Sequence, residues 1–149
     1  MLLGSEDETR ALGRKLGALL QPFDFVALYG DLGAGKTLFV KAVAEGAGAP
    51  GASSPTFALV NQYQGSRLKL QHLDLYRLTG AADLFSLGFD DLLAEPAATL
   101  VEWADRARGA LPADRLEISL EHHGPEQRRA KLEALGPRSR ELLRSLTES

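Results

Sequence analysis

Leu12, Leu16, Leu19 and Leu20 recur at the three-to-four-residue spacing of a helix that buries one stripe. Ser5 followed by Glu8 has the capping-box spacing that satisfies orphan N–H groups at a helix start, and Pro22 closes the pattern. The rhythm then changes. Phe25-Val26-Ala27-Leu28-Tyr29 is an unbroken apolar run, as expected of a short strand covered on both faces. A glycine-rich stretch from Gly30 to Gly35 separates it from a second helical pattern, Leu38, Val40, Val43, Ala44 and Ala47, which Gly48 and Pro50 stop. Residues 25–48 therefore read as strand, loop, helix.

Pro50, Gly51, Ser53, Ser54 and Pro55 mark an exposed connection. Two β-like runs, Phe57–Tyr63 and Leu68–Tyr76, flank Gln64-Gly65-Ser66-Arg67, a four-residue hairpin turn. Ala81–Leu87 and Asp91–Ala94 read as short helical pieces broken at Gly88. Ala98-Thr99-Leu100-Val101 is a further buried strand that ends at Glu102-Trp103. In Arg115–Glu121, Leu116, Ile118 and Leu120 alternate with Glu117, Ser119 and Glu121, and Arg129–Leu135 alternates in the same way beyond Gly124-Pro125. That pair is a hairpin. Pro137 at a helix start, followed by Leu142, Leu143 and Leu146, predicts a closing helix. Strands alternating with helices make an α/β sandwich with a mixed sheet the economical fold.

Composition narrows the class. A chain of 149 residues suits one domain over 1–149, since single cores usually serve ~100–200 residues. It has no cysteine, which excludes a disulfide framework and any Cys-ligated zinc or iron–sulfur site, and fits a reducing compartment. A net charge of −3 argues against a general nucleic-acid binder, which needs a basic surface. From about residue 126 the chain is locally basic, with six Lys or Arg against four acids, too small an excess for a docking patch. No apolar run approaches the ~18–20 residues that span a bilayer, so no membrane association is expected. Met1-Leu2-Leu3-Gly4 runs straight into Ser5-Glu6-Asp7-Glu8, with no basic leader, and the expectation is a cytoplasmic protein.

One motif carries chemistry. Gly30-Asp31-Leu32-Gly33-Ala34-Gly35-Lys36-Thr37 matches G-x-x-x-x-G-K-[ST] in full. A loop that wraps a polyphosphate with inward-pointing N–H groups needs positions without Cβ that accept positive φ. The helix that follows presents its positive end to the same phosphates. Lys36 then neutralises the β- and γ-phosphates, and the Thr37 hydroxyl ligates Mg²⁺. Such a site also needs acids near the metal, at the C-terminal ends of neighbouring buried strands. Glu102, after Leu100-Val101, and Asp74, after Leu70, His72 and Leu73, both qualify, and spacing does not rank them. Each could hold Mg²⁺ or position the attacking water, or simply cap the next turn.

Other features take plainer readings. His122-His123 sits at a hairpin turn and reads as a solvated pair, and Trp103 as an anchor for the loop after Glu102. Arg106, Arg108 and Arg115 are surface cations or candidates for a transition-state arginine. Arg77, three residues past Asp74, is the better candidate.

Four blocks in order carry a family resemblance: residues 30–37 as above, Ser54-Pro55-Thr56-Phe57, His72-Leu73-Asp74-Leu75-Tyr76-Arg77 and Leu100-Val101-Glu102-Trp103. Together, at this spacing, the chain resembles the bacterial TsaE family, ATPases required for tRNA threonylcarbamoyladenosine biosynthesis. The resemblance covers roughly residues 5 to 121. It implies a P-loop NTPase-like sandwich with a mixed, mainly central parallel sheet flanked by helices. It also implies that Glu102 and Thr37 hold Mg²⁺, that Asp74 lies beside the γ-phosphate and is needed for hydrolysis, and that Ser54-Pro55-Thr56 is a nucleotide-sensing switch loop. Glu6 and Thr9 match positions near the adenine. Family members resemble accessory motors that bind the threonylcarbamoyltransferase with its dimerisation partner, tRNA being met only indirectly. The modified base is the adenosine beside the anticodon in tRNAs reading codons that begin with A. Two rival readings stand beside it, a small-molecule kinase on the same phosphate loop and a nucleotide-dependent binding switch without essential turnover.

Overall fold

In the computed structural model, which describes residues 1–30, 35–49, 60–75, 88–104, 109–125 and 127–148, the Ser5 hydroxyl accepts the Glu8 N–H at 3.2 Å and starts helix α1 (Glu6–Leu19). Glu8 returns its carboxylate to the Gly4 N–H, one residue before the position a standard capping box uses. Leu12, Leu16 and Leu20 are buried and Leu19 is half-buried. The helix stops earlier than Pro22 suggests, because Leu20 is already extended at φ −61°, ψ 144°.

Strand β2 (Phe25–Tyr29) follows the short strand β1 (Leu2–Leu3) in sequence and is buried along almost its whole length. Helix α2 (Lys36–Gly46) ends as Gly48 turns to φ +89°. There the Ala49 N–H reaches the Ala44 carbonyl at 2.9 Å and the Gly48 N–H reaches Glu45 at 3.1 Å. That pair of bonds is the Schellman closure that glycine permits. Strands β3 (Val60–Gln64) and β4 (Lys69–Asp74) form the expected antiparallel hairpin. Helix α3 (Phe89–Ala94) starts two residues before the sequence pattern suggests, with Gly88 at φ +70° as its cap. Strand β5 (Ala98–Glu102), the hairpin β6 (Leu116–His122) and β7 (Arg128–Ala134), and helix α4 (Pro137–Thr147) complete the order. The connection at 50–56, the residues Phe57 to Leu59, Tyr76 and the helical piece Ala81–Leu87 lie outside the described residues.

Among the described residues the strands form one seven-stranded sheet in the order β1-β7-β6-β2-β5-β4-β3. β6, β2, β5 and β4 are mutually parallel, and β1, β7 and β3 add antiparallel edges. This is the mixed sheet that the pattern predicts, with the parallel centre that the resemblance implies. α1, α2 and α4 cover one face over Leu16, Phe39, Val43, Leu28, Leu100 and Ile118. α3 covers the other, over Phe25, Leu73, Phe89 and Val101. Parallel strands buried on both faces read as unbroken apolar runs, which is why β2 was legible.

α1 and α2 meet through glycine. A Cβ on Gly13 would sit 2.7 Å from the Ala42 Cβ and 2.9 Å from the Phe39 carbonyl oxygen, and one on Gly17 would sit 2.9 Å from the Ala47 nitrogen. Gly13 faces 39–42 and Gly17 faces 43–47, so the two helices advance in the same direction. α4 lacks a capping side chain at Gly136, and Asp114 replaces it by accepting the N–H groups of Arg138 and Ser139, each at 3.0 Å. Burial pushes the Asp114 carboxyl up, but these bonds, the Ser139 hydroxyl and the Arg140 charge outweigh it and hold the carboxyl below its ordinary 3.8.

Candidate phosphate and metal site

β2 delivers the chain to Gly30 at φ +141°, and the loop ends at Gly35 with φ +95°, ψ 11°. Both are backbone states that L side chains avoid, so the first and last glycines of the motif are required by conformation. Space is not the reason at Gly35, where an added Cβ would meet only the Arg128 Nε at 3.6 Å among the described atoms. Gly35 caps α2 without a side chain, which leaves the helix's leading N–H groups without a side-chain cap. Asp31, Leu32, Gly33 and Ala34 lie outside the described residues.

Lys36 is buried. Its ammonium donates to the Gly30 carbonyl at 2.6 Å and lies 3.9 Å from the centroid of the Trp103 ring. The cation is therefore held beside the first residue of the loop by a carbonyl dipole and an indole face. Trp103 takes φ +57° to present that face, so the residue read as a loop anchor also touches the motif lysine. Thr37, the next residue, is exposed.

The acids are placed by strand register. In the parallel pair β4–β5, Asp74 is opposite Glu102 and His72 is opposite Leu100. In β2–β5, Glu102 is opposite Leu28, two residues before the loop begins. Successive side chains alternate faces, so His72, Asp74 and Glu102 project to the same side. That side is the one α2 covers, as shown by Leu70 and Leu100 in its core. Two carboxylates on one register pair, at the C-terminal ends of their strands, repel each other unless a cation lies near.

Glu102 is only 5% exposed, and one of its oxygens, Oε2, is 2.7 Å from Nε2 of the fully buried His72. The other ring nitrogen, Nδ1, is buried with no hydrogen-bond partner among the described residues. A ring that donates from Nε2 leaves only a lone pair unmatched at Nδ1, the cheaper arrangement. The pairing was not visible in the sequence, where His72 was simply one letter of a block. Tyr63 of β3 faces the same side. Burial raises its hydroxyl pKa, a hydrogen bond with Asn61 opposes this, and the Glu102 charge raises it further.

The remaining predicted residues are divided. Because α1 and α2 run in the same direction, the first turn of α1 lies toward the N-terminus of α2, and Glu6 and Thr9 are there. Glu6 is exposed and pairs with Arg10 at 3.5 Å, while Thr9 is buried with its hydroxyl donating to the Ser5 carbonyl at 3.3 Å. Arg115 does not reach the loop. It precedes β6 at the end of the sheet opposite Gly30 and pairs with Glu117 at 2.9 Å. Arg77, Arg106, Arg108 and Ser54-Pro55-Thr56 lie outside the described residues. His122, the last residue of β6, and His123, which follows it into the β6–β7 turn, are both exposed. Arg128, in the basic segment given no role above, is instead brought beside Gly35 by the β6–β7 hairpin.

Comparison with known proteins bears on this arrangement. The model of a family described as threonylcarbamoyl adenosine biosynthesis protein TsaE matches residues 3–130, which include all four sequence blocks. The tRNA threonylcarbamoyladenosine biosynthesis protein TsaE of Bacillus subtilis (strain 168) is 37% identical over 142 residues, 95% of this chain and 89% of that one. The protein of the same description from Streptomyces coelicolor is 40% identical over 116 residues, 75% of this chain and 78% of its own. The crystal structure of Bacillus subtilis YdiB is similar at a TM-score of 0.83 and 34% identity, over 99% of this chain and 92% of that one.

Proposed function

This chain belongs to the TsaE family of threonylcarbamoyl adenosine biosynthesis proteins, and from that premise we propose that it binds and hydrolyses MgATP as an accessory protein in tRNA threonylcarbamoyladenosine formation. It has a P-loop NTPase-like fold. The observation that carries the reading is the register pair of Asp74 and Glu102, set beside the strand that feeds Lys36 and the glycine loop.

The donor set fits the groups assigned to it. Gly35 leaves the approach to α2 free of a Cβ, and the helix end, which its own N-cap residue does not cap with a side chain, offers N–H groups to phosphate oxygen. A threonine hydroxyl and a buried carboxylate are the hard oxygen donors that Mg²⁺ prefers. Gly30 to Gly35 and Lys36 hold the polyphosphate, Thr37 and Glu102 hold Mg²⁺, and Glu6 and Thr9 lie toward the adenine. When bound, Mg²⁺ offsets negative charge on the β- and γ-phosphates. Lys36 leaves the Gly30 carbonyl to meet that charge. Asp74 accepts a hydrogen bond from the attacking water and orients it. Arg128, next to Gly35, adds a second cation at the loop.

Phosphate-loop hydrolases without a placed arginine turn over at about 10⁻⁴ s⁻¹, and supplying that charge raises the rate by about 10³–10⁵. In this reading the protein is slow alone and faster in complex with the threonylcarbamoyltransferase and its dimerisation partner, which completes the charge around the phosphates. The substrate of that complex is the adenosine beside the anticodon in tRNAs reading codons that begin with A. The protein acts in the cytoplasm. No helix among the described residues is long and apolar enough to cross a membrane.

The test pairs calorimetry with turnover. Lys36→Ala loses ADP and ATP binding, and Asp74→Ala keeps binding but loses hydrolysis measured with both partners present. Equal hydrolysis by Asp74→Ala and wild type refutes the role of Asp74, and absence of nucleotide binding by the wild-type protein with Mg²⁺ refutes the whole reading. Transfer of phosphate to a metabolite instead of water favours a kinase.

A further inference from the structure

We propose that His72 is a positioning residue that fixes the Glu102 carboxylate for the metal, an inference that rests on the reading of Glu102 as a Mg²⁺ ligand. His72 lies at the centre of β4 with no exposed surface. Its neighbours along this face, Leu70 on its own strand and Leu100 opposite it on β5, are fully buried leucines. An aliphatic side chain would fill the same place without desolvating an imidazole. The histidine leaves Nδ1 buried and unmatched, which costs free energy. What offsets that cost is the 2.7 Å bond from Nε2 to Glu102 Oε2.

The bond does something that packing cannot. A glutamate side chain has three rotatable bonds, and the Glu102 carboxylate stands opposite the Asp74 position, from which like charge would push it. Tying Oε2 to His72 restricts the rotation of the carboxylate and engages one of its two oxygens, and Oε1 is then assigned to the cation. Carboxylates that bind metals are commonly held in this way by outer hydrogen bonds, and removing such a partner typically costs about 10–100-fold in metal affinity or activity. His72 touches neither nucleotide nor water in this scheme, and it acts only through Glu102.

The experiment uses the full chain and ADP. Affinity is measured by calorimetry across a Mg²⁺ titration and again in EDTA, for wild type, His72→Leu, His72→Gln and Glu102→Gln. His72→Leu is expected to raise the Mg²⁺ concentration for half-maximal effect by about 10–100-fold while changing ADP affinity in EDTA by less than about threefold. His72→Gln retains an amide N–H near the Nε2 position and is expected to restore most of the Mg²⁺ response. If His72→Leu keeps the wild-type Mg²⁺ response while Glu102→Gln loses it, the role of His72 is wrong and that of Glu102 stands. If Glu102→Gln also keeps the response, Glu102 is not a ligand and both readings fall. Equal losses with Mg²⁺ and in EDTA assign His72 to the fold alone and overturn the proposal. Should His72→Leu not fold, His72→Asn, whose shorter amide does not reach Glu102, takes its place with the same expectation. Failure of both to fold likewise assigns His72 to the fold.

Discussion

Replacing Gly17 with Ala tests whether the contact between α1 and α2 depends on bare backbone. A Cβ at Gly17 would lie 2.9 Å from both the Ala47 nitrogen and the Val43 carbonyl carbon, and would overlap the Val43 oxygen. Ordinary carbon–oxygen contacts in proteins begin near ~3.3 Å. All three atoms belong to the backbone, and the Val43 oxygen already accepts the Ala47 N–H at 3.0 Å. No side chain can swing away, so the helices must separate. Overpacking of this kind costs about 1–3 kcal/mol, and a backbone clash belongs at the upper end. Alanine in place of glycine inside a helix returns about 1 kcal/mol through propensity. The net is about 2 kcal/mol of destabilisation, or roughly 4–8 °C in Tm for a chain of this length. Differential scanning calorimetry reads it directly. Gly109→Ala is the control, since a Cβ there meets no described atom within 4 Å, and its Tm should move by less than ~2 °C. A Gly17→Ala protein that melts at or above the wild-type temperature refutes the packing argument.

Two other predictions follow from the geometry. Asp114→Asn keeps one acceptor oxygen but turns an amide N–H toward the Arg138 or Ser139 N–H, and weakens the remote cap of α4 by about 1–2 kcal/mol at pH 7, measured by urea denaturation. The native carboxyl titrates below its ordinary 3.8, so its stabilisation is complete above that value and is lost as pH falls through the lower native pKa. The gap between wild type and Asp114→Asn should therefore close only below about pH 4, and a gap constant down to pH 2 contradicts the assignment. Trp103 is the chain's single tryptophan, and the Lys36 ammonium lies 3.9 Å from its ring centroid. Lys36→Met should change its emission spectrum in the absence of any nucleotide, whereas superimposable spectra would exclude the contact.

What the sequence made legible was whatever a short window contains. The unbroken apolar run at 25–29, the alternation in β6 and β7, the glycine that turns to φ +89° after α2, and Pro137 at the head of α4 each carry their own physical cause within a few residues. The phosphate loop belongs to this class, because its required glycines are adjacent to the lysine they serve. Elements with distant partners were not legible. β1 is two residues long and exists only because Leu2 and Leu3 pair with Arg129 and Arg128 at the far end of the chain. Asp114 caps a helix more than twenty residues away, and nothing near Gly136 announces it. Gly13 and Gly17 look like weak points of a helix until the second helix is laid against them.

The same distinction separates the two acids from the rest of the site. Each was found as a carboxylate at the end of an apolar strand, a local signal, and their equivalence was then irresolvable. Register breaks it. β5 lies between β2 and β4, so Glu102 has the loop-bearing strand on one side and Asp74 on the other. The inner acid is buried and tied to His72 through one oxygen, as suits a group that must hold a fixed direction toward a cation. The outer acid is half-buried on a strand one place farther from the loop, where water has access. Burial and strand order thus favour the inner position for a ligand and the outer one for a group that must meet a water molecule. That division is the one proposed above, and its support is burial and the order of three strands.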